Sequence, residues 1–240
     1  MSERATNCPV RDRNWILQSW FDHVLVAGDL AGVDLEFVFV VAEDDLDSRE
    51  FLSAWSDEFG LPVDVTVLSE PAFDGRRDWN VDRLEHMVSL RNVMLRRVRK
   101  FAPEVFLSLD SDVLLAPESI GKALKIMADE SPVVLGQKAY LSEFSTRYPN
   151  MGLWANSNHT KFYREDCDYL KTVDIVMAVK FMSPDAYNVD YRYHFLGEDL
   201  GWSSAISKIY GRRLLWDGST VNKHVMHPDL LGLVDSRVGW

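Results

Sequence analysis

Residues Val105 to Val113 read Val-Phe-Leu-Ser-Leu-Asp-Ser-Asp-Val, and this stretch narrows the possible architectures more than any other. Its first half is an apolar run too short for a helix, and it lacks the polar alternation of a strand with one wet face. Such a run belongs in the middle of a parallel sheet covered on both sides. It stops abruptly at two carboxylates one residue apart, so a buried strand delivers Asp110 and Asp112 to its carboxyl end. Open α/β sheets bind ligands at that end. An Asp-x-Asp pair there suits a hard divalent cation carrying phosphate oxygens. Two acids and a serine also suit a solvated turn before the helix start at Pro117-Glu118. The buried strand in front of them is what favours chemistry.

The neighbouring segments keep the rhythm of a parallel α/β sheet. Ala5 to Val10 reads as an edge of a first strand, because Pro9 limits pairing. Ile16, Leu17, Trp20, Phe21, Val24 and Leu25 follow helical spacing over Trp15 to about Ala27, with Asn14 as its cap. Leu35 to Ala42 is the clearest strand, β-branched and aromatic, and it too ends in acids, Glu43-Asp44-Asp45. Asp47 or Ser48 then caps a helix carrying Phe51, Leu52, Trp55 and Phe59, closed by Gly60-Leu61-Pro62, and Val63 to Leu68 alternates like a half-buried strand. After a polar loop with Arg76 and Arg77, a long helix runs from about Val81 to Phe101 with an inward stripe of Leu84, Val88, Arg91, Leu95 and Val98. The cations Arg96, Arg97, Arg99 and Lys100 complement the dipole at its C-terminus. Arg91 is different: a guanidinium on an apolar stripe must find an anion, either a ligand or an acid of the next strand.

In the second half a helix is expected from Pro117 to about Asp129, then a strand at Val133 to Gly136. From about Lys138 to Tyr169 the pattern breaks into a polar, aromatic stretch, which reads as an irregular lid or binding loop. Val173 to Met182 reads as one strand ending at Ser183-Pro184, and Glu198-Asp199 opens a helix that stops at Gly211. Leu214 to Val225 reads as a hairpin turning at Asp217-Gly218, with Lys223-His224 on its second arm and His227 beyond it.

The chain of 240 residues is read as one domain, 47% hydrophobic. Its formal charge of -11 disfavours nucleic acid and anionic membrane surfaces as partners. Two cysteines, Cys8 and Cys167, are too few for a disulfide framework. With no leader pattern and no apolar run of membrane-spanning length, the expectation is a cytoplasmic protein.

In order along the chain, these residues resemble the GT-A class of nucleotide-sugar glycosyltransferases, most like family 2 and the related fungal mannosyltransferase type. Cys8-Pro9-Val10-Arg11-Asp12-Arg13 is similar to an opening loop that usually reads Thr-Pro-x-x-Asn-Arg. Glu43-Asp44-Asp45 stands where the second strand's acid contacts the nucleoside, although the family more often has Asp-Asp-Gly. Leu90-Arg91-Asn92 followed by Leu109-Asp110-Ser111-Asp112 resembles the Arg-Asn helix leading into the Asp-x-Asp strand. Gly197-Glu198-Asp199 resembles the acceptor-side Glu-Asp motif, and Val221-Asn222-Lys223-His224 the late strand that returns a metal-binding histidine.

The resemblance implies a Rossmann-like, mostly parallel sheet flanked by helices and a single GT-A domain, with about 1–115 as its nucleotide-binding half and about 116–240 as its acceptor-binding half. It implies transfer of a sugar from a UDP- or GDP-type donor to the hydroxyl of a glycan, small molecule or protein, with Mn2+ or Mg2+ as cofactor. Pro9, Val10, Arg11, Glu43, Asp44, Asp45, Arg91, Asp110 and Ser111 would bind the nucleotide sugar. Asp112 would contact the metal directly, Asp110 the ribose or the metal through water, and His224 or His227 would complete the shell, spacing favouring His224. Asp199, beside Glu198, would be the base of an inverting transfer. Two other readings stand beside this one: a non-catalytic sugar- or nucleotide-binding protein of the same fold, and a sugar nucleotidyltransferase. The last would need a glycine-rich phosphate loop after the first strand, and Pro9 to Arg13 contains no glycine.

Overall fold

The computed structural model describes residues 4–10, 12–68, 81–141, 145–149, 151–154, 162–163, 168–211, 214–225 and 227–234. The loop with Arg76 and Arg77, and Arg11 and Cys167, lie outside them. The first half alternates β1 (Arg4–Val10), α1 (Asn14–Ala31), β2 (Leu35–Ala42), α2 (Leu46–Phe59), β3 (Val63–Leu68), α3 (Val81–Phe101), β4 (Phe106–Leu109), β5 (Val113–Leu114) and α4 (Ser119–Glu130). The second half adds β6 (Val134–Leu141), β7 (Ser145–Pro149), β8 (Met151–Trp154), β9 (Phe162–Tyr163), β10 (Leu170–Thr172), β11 (Ile175–Val176) and β12 (Val179–Met182). It closes with α5 (Pro184–Tyr187), α6 (Glu198–Tyr210), β13 (Leu214–His224) and α7 (Pro228–Val234).

The main sheet runs β10-β13-β6-β12-β4-β1-β2-β3. Strands β1 to β4 are mutually parallel, and β6 is parallel to β13. β12 enters between β4 and β6, antiparallel to both. Side chains of α1, α2 and α4 build one apolar layer with the sheet, around Trp20, Phe21 and Phe39. Side chains of α3, α5 and α6 build the other, around Phe106, Trp202 and Trp216. β2 and β4 are covered on both faces, which is why they read as continuous apolar runs.

Several expectations from the sequence are corrected. β1 is an interior strand, flanked by β2 and β4; its pairing with β4 ends at Asn7, so Pro9 sits where only the β2 side is paired. Asn14 is the first helical residue of α1 and Arg13 holds the cap position, while Gly32 closes the helix in the left-handed region at φ 65°. The cap of α2 is Asp45, which accepts from the Ser48 N–H at 3.2 Å, in place of Asp47 or Ser48. The stretch from Lys138 to Tyr169, expected to be irregular, carries the end of β6 and strands β7, β8 and β9 among its described residues. Val173 to Met182 is two strands broken at Ala178, whose φ is 57°; β11 joins β8 in a small second sheet and β12 joins the main one.

The expected closing hairpin is a single long strand. β13 runs parallel to β6 throughout, with a register shift between Asp217 and Val221. Asp217 is buried and folds the bulge around its own carboxylate, accepting from Ser219 N–H at 2.9 Å and the Ser219 and Thr220 hydroxyls at 2.6 and 2.5 Å. The Asp-Gly signal thus marks a bulge, a site where an Asx-type turn relieves the ladder without reversing it.

Candidate active site at the carboxyl edge of the sheet

Strands β1, β2, β4, β6 and β13 all end at one edge, and the antiparallel β12 begins there. Backbone hydrogen bonds knit the turn after β4 into that edge. Asp110 N–H donates to Ala178 O at 3.0 Å, its carbonyl accepts from Val113 N–H and from Trp20 Nε1, both at 3.1 Å, and Val225 N–H donates to Asp112 O at 2.7 Å. Ser111 is buried between the two acids. The turn is therefore fixed by three elements, unlike a solvated connection.

β5 pairs antiparallel with the end of β13, setting His224 opposite Val113. This pairing brings His224 Nε2 within 3.0 Å of Asp112 Oδ1. The other carboxylate oxygen, Oδ2, accepts from Arg13 Nη2 at 3.0 Å. Burial pushes the Asp112 carboxyl up, yet His224 and then Arg13 outweigh it and hold the carboxyl below its ordinary value. Burial alone would lower the imidazole; the Asp112 charge and hydrogen bond raise it instead. His227 lies on the surface, paired with Asp229 at 3.2 Å, so the structure brings His224 to the acid.

Among the described residues no group of three or more His, Cys, Asp or Glu side chains is arranged to hold a metal ion. Asp112 and His224 are nevertheless a donor set that fits a divalent cation: a carboxylate oxygen and an imidazole nitrogen facing each other 3.0 Å apart at the sheet edge would together hold it. The remaining positions would fall to phosphate oxygens and water, the usual share for magnesium.

A second charged cluster lies on the face covered by α3 and α6. Arg91 is 3% exposed and donates from Nη2 to Asp110 Oδ1 at 2.6 Å, with Nε 3.7 Å from Glu198 Oε1. Its Nε and Nη1 have no hydrogen-bond partner among the described residues. Two unpartnered guanidinium donors at a buried site are a receptor for an anion. Burial pushes the Glu198 carboxyl up, Asp199 adds to it, and Arg91 opposes. Asp199 accepts from Lys180 Nζ at 2.6 Å, and Lys180, on β12, is wholly buried. Burial would lower the Lys180 ammonium, but Asp199 holds it above its ordinary range.

The other residues singled out in the sequence fall around these two clusters. Val10 is buried at the end of β1; the side chains of Pro9 and Arg11 lie outside the described residues. Asp12 adopts φ 51°, a conformation that Asp and Asn tolerate better than most residues. Asp12 donates its N–H to Asp45 Oδ2 at 2.8 Å. Asp45 thus spends both carboxylate oxygens on backbone, capping α2 and tying the β1 loop to the β2 loop. Glu43 and Asp44 are exposed at the end of β2. Arg13 and Lys180 were not singled out, although both signals were present. Arg13 closes the opening-loop motif, and Lys180 is a lone cation inside Val-Lys-Phe-Met, the strand counterpart of Arg91 on its helix stripe.

No protein-family model matches the chain and no curated protein sequence matches it. Solved structures match in fold. S. aureus TarS residues 1–349 in complex with UDP-GlcNAc superposes with a TM-score of 0.63 at 13% identity, over 94% of this chain and 59% of that one. The mannosyltransferase PcManGT from Pyrobaculum calidifontis, in complex with GDP-Man and Mn2+, gives 0.58 at 13% identity, over 93% and 57%. The chain therefore spans under two thirds of the length of either. The fold is that of the GT-A glycosyltransferases.

Proposed function

We propose that this chain is a metal-dependent glycosyltransferase that moves a sugar from a UDP- or GDP-type donor to an acceptor hydroxyl with inversion. The observation that carries the reading is the meeting, at one sheet edge, of an Asp112–His224 pair, a buried Arg91 whose Nη1 has no hydrogen-bond partner among the described residues, and the neighbouring carboxylates Glu198 and Asp199. The likeness in fold to UDP-GlcNAc- and GDP-Man-bound structures supports it. The narrower kinship with family 2 and the fungal mannosyltransferase type rests on motif order alone.

Asp112 and His224 would hold Mn2+ or Mg2+. When bound, the cation supplies Lewis acidity toward the diphosphate. Arg91 offers Nη1 to the donor's phosphates, and Asp110, fixed by Arg91, faces the ribose. Ser111, Glu43 and Asp44 would line the nucleotide side, Asp45 holds two of its loops, and the likeness of the opening-loop motif assigns Pro9, Val10 and Arg11 to nucleotide-sugar binding. On the other side Asp199 takes the proton of the attacking hydroxyl, with Glu198 beside it. The acceptor is a glycan, small molecule or protein; a surface this acidic disfavours nucleic acid. No described helix is long and apolar enough to cross a membrane, and we assign the chain to the cytoplasm.

Thermal unfolding with UDP, GDP, dTDP and CDP, each with Mn2+ and with chelator, tests the reading. Nucleotide at a hundred times its dissociation constant adds about 2.7 kcal/mol, a rise of roughly 5–10 °C for a chain of this size. The expected result is a metal-dependent shift with one nucleotide, lost in Asp112→Ala. A shift with none of them would leave a non-catalytic protein of the same fold.

A further inference from the structure

Five charged side chains meet under α3 and α6: Asp110, Glu198 and Asp199 against Arg91 and Lys180. Burying charge is costly unless it is paired, and Lys180 is the most deeply buried of the five, with no exposed surface. β12 explains how it arrives. Val179 and Phe181 enter the apolar layer of α1 and α2, so Lys180, between them, points to the opposite face. There its Nζ lies 2.6 Å from Asp199 Oδ1 and 5.7 Å from the centroid of the Tyr191 ring. Nothing in the sequence motifs or the structural likeness assigns this lysine a role.

We propose that Lys180 is the positioning residue that selects Asp199 over Glu198 as the base, pinning Oδ1 so that Oδ2 faces the acceptor. This rests on the glycosyltransferase reading. In the step it serves, the acceptor oxygen forms a bond to the anomeric carbon as its proton passes to Asp199 Oδ2. The bond from that carbon to the diphosphate oxygen breaks, and its electron pair leaves with the nucleotide. The groups that face Asp199 fit this division. Lys180 comes from β12, Tyr191 from the segment before α6, Arg91 from α3, Asp110 from the turn after β4, and Glu198 from α6 itself. Arg91 makes its direct contacts with Asp110 and Glu198, although its charge also reaches Asp199. Lys180 is the cation in direct contact with Asp199. Glu198, buried beside another carboxylate, has its carboxyl raised.

The test uses water as the acceptor and the glucose, N-acetylglucosamine and mannose nucleotides of whichever base passes the unfolding screen. Nucleotide release with Mn2+ is followed from pH 4.5 to 9 in wild type, Lys180→Met, Lys180→Arg and Asp199→Asn. Expected is an acidic limb in Lys180→Met displaced upward by at least about one pH unit, since a nearby cation normally favours the carboxylate by 1–3 units. The donor KM stays unchanged, and Lys180→Arg returns the limb toward wild type. Asp199→Asn should slow release about 10²–10⁴-fold at every pH. An unmoved limb in Lys180→Met overturns the proposal, whatever stability is lost. Lys180→Gln serves the same comparison if Lys180→Met does not fold. A nucleotide screen without any shift sinks the glycosyltransferase reading itself, whereas an unmoved limb in an active enzyme sinks only the role of Lys180.

Discussion

Arg91 and Lys180 reach one buried cluster from opposite walls, a helix and a strand, and each is held there by a carboxylate at 2.6 Å. Removing either cation strands partly buried acids that water solvates poorly. Arg91→Met is therefore expected to cost about 3–5 kcal/mol, measured as a lowered urea midpoint with an unchanged slope; a variant as stable as wild type would show that the pair carries no weight. Glu198 makes a prediction in pH. Its carboxyl is raised above the ordinary 4.5 in the fold, so its contribution to stability is complete below that value and is lost as pH climbs through the raised one. Glu198→Gln, which stays neutral, should gain stability relative to wild type from pH 4.5 upward, then run parallel to it. Unfolding free energies that track together across that range would contradict this. Arg91 was legible in the sequence because a cation broke a helical stripe over many residues. Lys180 broke a strand only four residues long, where one charged position is hard to tell from ordinary alternation.

Elements of the first half could be read with little more than periodicity, because β2, α2, β3 and α3 are connected locally and each buries a face dictated by its own sequence. The second half resisted for a physical reason: its strands take their identity from distant partners. β13 is one strand because β6 lies alongside it for its whole length, and no local signal distinguishes a three-residue bulge from a two-residue turn. Ala178 splits its segment because β11 and β12 belong to different sheets. The same reasoning singles out Asp45, which joins the β1 and β2 loops. Asp45→Ala loses the α2 cap and the Asp12 N–H acceptor together, a cost of about 1–2 kcal/mol. It should also weaken metal-dependent nucleotide binding, because the loop carrying Arg13 is released. Calorimetric unfolding with and without nucleotide separates the two effects, and intact binding would refute the second.

Across the whole molecule, Asp112 is satisfied by the chain's own groups: both of its oxygens are engaged, by Arg13 and by His224. Chelator alone is accordingly expected to leave the melting temperature of the unliganded chain within about 1 °C, so that the cation acts in binding rather than in folding; a large drop would make it a structural metal. The antiparallel entry of β12 between β4 and β6 has a further consequence during synthesis. Strands β1 to β4 can assemble on one another as they leave the ribosome, but the gap beside β4 is filled only from residue 179 onward, and Asp112 waits for His224. Arg13 and Asp112, 99 residues apart, can meet early. A nascent chain thus carries a half-built sheet with an open edge beside β4 until β12 has emerged, and the Asp112–His224 pair is complete only once β13 lies alongside β6.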